Sequence, residues 1–172
     1  MVINGNNLIH HQPILNMERH KWRGPSGASY GLTEAGYDIR IKQAITFRRA
    51  PNGEQEVLRE WMDDEGETVL SITKGRFILA SAMEEFIMPT NLMGIVHDKS
   101  TWARQGLSVF NTVIEPGWRG FLTLELVYHG QDELKIEAGA GIAQVIFHKL
   151  HNPANYTGRY QDQDDCPVPA RL

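Results

Sequence analysis

The chain is almost devoid of cysteine: Cys166 is the only one in 172 residues. No intrachain disulfide can form, and a zinc site built on several thiolates is excluded. The chain also lacks any apolar run approaching the roughly twenty residues that a membrane-spanning helix needs. Its first twenty residues contain Asn, His, Gln and Glu and no apolar stretch, so no secretion signal is read there. Positive charge is not in surplus either. The formal net charge is −4, so no overall field draws in polyanions, which argues against nucleic acid as a partner and leaves room for a local basic pocket. There is no internal repeat and no low-complexity segment. Together these absences predict a soluble, cytoplasmic protein with no membrane partner, folded as a single domain over residues 1–172.

What is present fits that description. Apolar residues make up 41% and charged residues 22%, as in ordinary globular domains long enough to bury a core. Residues 1–27 read as an irregular N-terminal segment, with Pro13, Gly24, Pro25 and Gly27 among polar residues and no sustained period. From Tyr37 the pattern changes: Tyr37, Ile39 and Ile41 alternate with polar neighbours, the period-two signature of a half-buried strand. Pro51-Asn52-Gly53 is a turn. Further strands are predicted at Thr68–Ile72, Arg76–Ala80, Leu92–His97, Leu107–Ile114, Phe121–Tyr128 and Gly141–Leu150. Lys99–Gln105 is the one helical piece between them, with Ser100 as its N-cap. Many short strands separated by Gly/Pro turns, with a few short helices, indicate a mainly β fold of the sandwich or jelly-roll kind. Residues 152–172 are polar, carry Pro153, Pro167 and Pro169, and read as a tail outside the core.

Chemistry-bearing side chains are densest between residues 97 and 125. Lys99, Ser100, Thr101 and Arg104 lie within a turn or two of one short helix. Such a cluster of cations and hydroxyls suits an anion, although a solvated surface has the same composition. Glu125 sits mid-strand, sharing a face with Phe121, Thr123 and Val127, while Leu122, Leu124 and Leu126 point the other way. A carboxylate there is either on an outer sheet face or in a site where it moves protons. Trp118 reads as a core or interface aromatic, and the seven histidines are scattered without the helical pairing of a zinc protease.

Taken in order, the segments resemble the dCTP deaminase family. Residues 28–40, Ala-Ser-Tyr-Gly-Leu-Thr-Glu-Ala-Gly-Tyr-Asp-Ile-Arg, are similar to its N-terminal signature. Lys99-Ser100-Thr101-Trp102-Ala103-Arg104-Gln105-Gly106-Leu107 resembles its Arg-Ser-Ser-x-Ala-Arg-x-Gly-Leu motif. Ile114-Glu115-Pro116-Gly117-Trp118-Arg119-Gly120 resembles Ile-Asp-Pro-Gly-Trp-x-Gly. Thr123-Leu124-Glu125 matches the strand with the family's catalytic glutamate, Gly139–Phe147 a strand shared with dUTPases, and Tyr156–Gln163 the segment that closes over nucleotide.

The resemblance implies a distorted jelly roll of the dUTPase-like β-clip kind, assembled as a homotrimer with active sites between subunits. It implies hydrolytic conversion of dCTP to dUTP and ammonia without zinc, Mg²⁺ carried by the triphosphate, and dTTP as an inhibitor. By resemblance Glu125 shuttles protons, Ser100 holds the water or the base, and Arg104 stabilises negative charge. Lys99, Ser100 and Thr101, with Trp102 and Ala103 in the same motif, meet the phosphates. Glu115 accepts the sugar 3′-hydroxyl, and Thr123 and Leu124 read the base through their backbone. Tyr156, Arg159 and Gln163, in a mobile tail over 152–172, fold over the substrate.

Three departures stand out. Lys99 replaces the usual Arg, a point charge for a bidentate fork. Glu115 replaces Asp, moving the carboxylate about one methylene outward. The run Gln105–Ile114 is two residues shorter than in monofunctional deaminases and closer to dUTPase spacing. That shortening opens two options: a bifunctional enzyme that continues from dUTP to dUMP and pyrophosphate, or loss of dTTP regulation. A plain dUTPase and a non-catalytic nucleotide-binding protein on the same fold are the remaining alternatives.

Overall fold

The structure is a computed structural model that describes residues 1–172. Its strands are β1 (Val2–Ile3), β2 (Lys21–Arg23), β3 (Ser29–Leu32), β4 (Tyr37–Arg40), β5 (Ala44–Arg49), β6 (Gln55–Met62), β7 (Thr68–Lys74), β8 (Phe77–Ile87), β9 (Leu92–Asp98), β10 (Leu107–Val109), β11 (Val113–Ile114), β12 (Arg119–Tyr128), β13 (Leu134–Ile136) and β14 (Gly141–Lys149). Two short helices accompany them, α1 (Gly5–His11) and α2 (Ser100–Ala103). None is long and apolar enough to cross a membrane.

The strands form three sheets around one core. A seven-stranded sheet runs β11-β9-β14-β4-β3-β2, with β1 pairing the far end of β14 beyond β4. A three-stranded sheet runs β10-β12-β8, and a four-stranded sheet β13-β5-β6-β7. All ladders are antiparallel. The inner faces supply a single apolar cluster that includes Tyr37, Ile39, Phe47, Phe86, Leu124, Val145 and Phe147. The mainly β architecture expected from the strand pattern, with the few short helices expected beside it, is the one observed.

β12 shows how the sequence produces this. Leu122, Leu124, Leu126 and Tyr128 are buried, while Phe121, Thr123, Glu125 and Val127 between them are half-buried. The leucines drive burial, at roughly 1.5–3 kcal/mol per side chain. The intervening face is thereby turned outward and left for chemistry.

The structure differs from the sequence pattern in several places. Residues 1–27 are not irregular: they hold β1, α1 and β2, and Leu8 and Ile14 are fully buried. These elements are too short to display a period: β1 buries only Ile3, α1 only Leu8, and β2 none of its side chains. β5 and β6 are not anticipated, because only Ile45, Phe47 and Val57 among their residues are buried. The expected strand over 107–114 is split between two sheets. β10 pairs β12, β11 pairs β9, and the chain crosses between them at residues 110–112. Ser100 does not cap α2; Lys99 is the N-cap residue, and its carbonyl accepts from the Trp102 and Ala103 amides.

The tail is also docked, contrary to expectation. It contains no regular strand or helix, yet Gln163 is buried and forms a parallel bridge with Gly120. A Cβ at Gly120 (φ 134°) would lie 2.5 Å from the Gln163 amide nitrogen, so only glycine lets the tail approach β12 this closely. The Trp118 indole N–H donates to the Tyr160 carbonyl at 2.6 Å, fixing the tail from the other side.

Candidate active site

Glu125 projects from the middle of β12 into a cavity of about 380 Å³. Glu115, Thr123, Tyr156 and Gln163 share that cavity, with Phe77, Leu79, Val113, Ile114, Trp118 and Leu122 forming apolar walls. Glu115 is brought to the rim by a tight turn: the Trp118 amide donates to the Glu115 carbonyl, and Gly117 takes a φ of 74°, the geometry that a type II turn asks of glycine.

One edge of β12 is open beside Glu125. β10 ends at Val109, and the Phe110 amide donates to the Glu125 carbonyl at 3.0 Å. Further along the same edge the tail takes over: the Phe121 amide donates to the Gln163 carbonyl and the Gln163 amide to the Arg119 carbonyl. Period two puts the Thr123 backbone on that same edge, in the gap between the two partners. Free strand-edge donors and acceptors next to a carboxylate are suited to reading a flat heterocycle.

The Thr123 hydroxyl is engaged by the tail. It accepts from the Gln163 side-chain amide at 2.5 Å and from the Val168 backbone amide at 3.0 Å. Arg159 is tied to the C-terminal end of the chain: its guanidinium donates to the Arg171 carbonyl, and Arg171 returns a bond to the Arg159 carbonyl at 2.6 Å. Tyr156 packs against the core, and its hydroxyl accepts from the Tyr160 amide at 3.3 Å. Leu124 has its side chain in the core, so only its backbone can serve a ligand.

The second group of expected residues lies apart. None of Lys99, Ser100, Thr101, Trp102, Ala103 and Arg104 lines the Glu125 cavity. Ser100, Thr101, Ala103 and Arg104 are exposed. Trp102, expected at the substrate, is instead buried, and its indole donates to the Gly141 carbonyl at 2.7 Å. It anchors the motif to β14. Lys99 is not free for phosphate either: its ammonium pairs with the buried Asp38 carboxylate and donates to the Ser29 hydroxyl at 3.0 Å. The Gln144 amide donates to the other Asp38 oxygen at 3.3 Å and to the Thr33 hydroxyl at 3.1 Å.

Sequence reasoning also missed a buried ion pair. Glu84, on β8, accepts from the Arg40 backbone amide at 2.9 Å and from its guanidinium at 2.8 Å. Burial pushes the Glu84 carboxyl up, and the two Arg40 donors oppose that shift. The pair lies where β8 bulges opposite Leu122, one residue before Thr123, so it braces the strand that carries the site. No sequence signal marks it, because Arg40 and Glu84 belong to different sheets. No three His, Cys, Asp or Glu side chains gather into a cluster that could hold a metal.

Residues 19–150 match the family described as dCTP deaminase-like. The dCTP deaminase of Chlamydia muridarum is 34% identical over 163 residues, covering 87% of this chain and 84% of that protein. That of Roseiflexus castenholzii is 35% identical over 154 residues, covering 84% and 83%. Among solved structures, native EIAV dUTPase aligns at 20% identity with a TM-score of 0.48, over 73% of this chain and 83% of that one. Ordered motifs, a cavity at the glutamate strand and identity along most of the chain converge, and this protein belongs to the dCTP deaminase family.

Proposed function

We infer that this protein hydrolyses dCTP to dUTP and ammonia, supplying deoxyuridine nucleotide to pyrimidine metabolism in the cytoplasm, and that it does so without zinc. The observation that carries this reading is Glu125, held mid-strand over a cavity that it shares with Glu115, Thr123 and Gln163, beside an open strand edge.

The chemistry asks for one proton shuttle. Water adds to C4 of the cytosine ring, and Glu125 takes its proton and delivers it to ring N3. The C4 hydroxyl then gives up its proton through Glu125 to the amino group. Ammonia leaves as the C4 carbonyl forms. Water's two protons thus end on N3 and on the leaving nitrogen, and the glutamate is regenerated. Such shuttling contributes roughly 10²–10⁴-fold. Ser100 would hold the water, and Arg104 would offset charge developing on the C4 oxygen.

Those groups meet Glu125 in a homotrimer, with Ser100 and Arg104 from one subunit and Glu125 from its neighbour. Two features support this. The Glu125 cavity draws nothing from Lys99–Arg104 of its own chain, and Phe77, Phe110 and Val113 expose apolar surface near it. Glu115 would accept the 3′-hydroxyl, the backbone of Thr123 and Leu124 would read the base, and Tyr156, Arg159 and Gln163 would close over the nucleotide. Magnesium would travel with the triphosphate as part of the substrate, asking few ligands of the protein.

Incubation of the purified protein with dCTP and Mg²⁺, with separation of the products, tests the reading. Accumulation of dUTP with one ammonia per turnover is expected. Pyrophosphate and dUMP would instead reveal the bifunctional enzyme suggested by the short 105–114 run. Unchanged dCTP would overturn the deaminase reading.

A further inference from the structure

Lys99 stands where the motif that residues 99–107 resemble begins with arginine, and here its charge is spent inside the fold. Its side chain is 11% exposed and that of Asp38 2%. A phosphate at Ser100 and Thr101 therefore needs another cation nearby. The hairpin of β2 and β3 supplies one. Arg23 is paired directly across the ladder from Ser29, the residue whose hydroxyl accepts from Lys99. Directly opposed residues share a face of the sheet, with Cβ atoms about 5 Å apart. Arg23 and Thr101 line one cleft of about 410 Å³, together with Lys21, Trp22, Gly27 and Ser29.

The acids around this cleft are already engaged. Glu34 is paired with Lys21 at 3.2 Å, Asp38 with Lys99, and Glu137 accepts from the Ser26 hydroxyl at 3.1 Å. Arg23 enters none of the chain's ion pairs and is exposed. The hairpin is held in place, its turn closed by the Gly24 amide on the Ala28 carbonyl at 2.9 Å and by the Ser26–Glu137 bond. The Ser29 hydroxyl is committed to Asp38 and Lys99, but a free guanidinium on an anchored strand, in one cleft with Thr101, suits bidentate binding of phosphate oxygens.

We propose that Arg23 binds the terminal phosphates of the nucleoside triphosphate, replacing the charge that Lys99 directs inward. This rests on the reading of Lys99–Arg104 as the phosphate side of the nucleotide site. Titration calorimetry of the full chain with inorganic tripolyphosphate, with dCMP, and with dCTP in a Glu125→Gln background, all with Mg²⁺, tests it. Arg23→Gln should weaken tripolyphosphate and dCTP about tenfold, the size of one charge-assisted contact, and leave dCMP unchanged. Arg23→Lys should fall between. Equal affinities with and without the Arg23→Gln substitution, no binding of tripolyphosphate in either case, or an equal loss for dCMP would overturn it. These readouts do not depend on turnover: a chain that binds tripolyphosphate through Arg23 yet releases no ammonia from dCTP would sink the deaminase reading alone.

Discussion

The ammonium of Lys99 is held against the buried carboxylate of Asp38, joining the start of α2 to β4. Removing one partner of a buried pair leaves the other charge uncompensated, at a cost of about 3–5 kcal/mol. Lys99→Met should therefore lower the melting temperature sharply, and adding Asp38→Asn should restore much of it. Thermal and urea unfolding of the two single variants and the double variant measure the coupling. A stable Lys99→Met protein would show that the pair carries no such weight.

Glu125→Gln should reduce the rate of ammonia release about 10²–10⁴-fold, because the amide cannot accept a proton from water. The side chain is half-buried at a cavity wall and packs no core, so the unfolding curve should stay within about 0.5 kcal/mol. Retained activity in a folded Gln variant would remove Glu125 from the mechanism.

Thr123→Val takes away one acceptor used twice, by Gln163 and by the Val168 amide. Each neutral bond contributes about 1 kcal/mol, so the Val168 amide should exchange with solvent about fivefold faster. Hydrogen exchange read by mass spectrometry over 160–172 checks this. Unchanged protection would mean that the Gly120–Gln163 bridge and the Trp118–Tyr160 bond hold the tail unaided.

Alkaline pH should find Tyr37. Burial pushes its phenol up to about 12 from 10.0, with the Glu18 amide donating to its oxygen as a smaller opposing effect. Below pH 10 both folded and unfolded chains keep the proton and the contribution is intact. Between pH 10 and about 12 the unfolded chain releases it first, so stability falls as pH rises, by at most about 3 kcal/mol. Tyr37→Phe should flatten this part of the stability curve in urea titrations at stepped pH. An identical slope would exclude Tyr37 as the source.

Trp102→Phe should cost about 1–3 kcal/mol, since it leaves the Gly141 carbonyl buried without its indole donor at 2.7 Å. Chemical denaturation measures the loss, which should appear without any change in the product formed from dCTP.

Residue order alone determined a good deal about this protein. Alternation along 37–41 and 121–128 marked the β fold and the outward face of Glu125, because period two is a local property of an extended chain. Motif order carried the family. Other features were settled only by tertiary contacts. Lys99 reads as a phosphate cation until Asp38, on another strand, is brought against it. Trp102 reads as part of a binding motif until its indole finds Gly141 on β14. The tail reads as loose polar chain until Gly120 admits Gln163 to the edge of β12. In each case the deciding partner lies far away in sequence. Whether a charge faces a ligand or a buried carboxylate depends on which distant strand folds beside it, and local pattern holds no record of that.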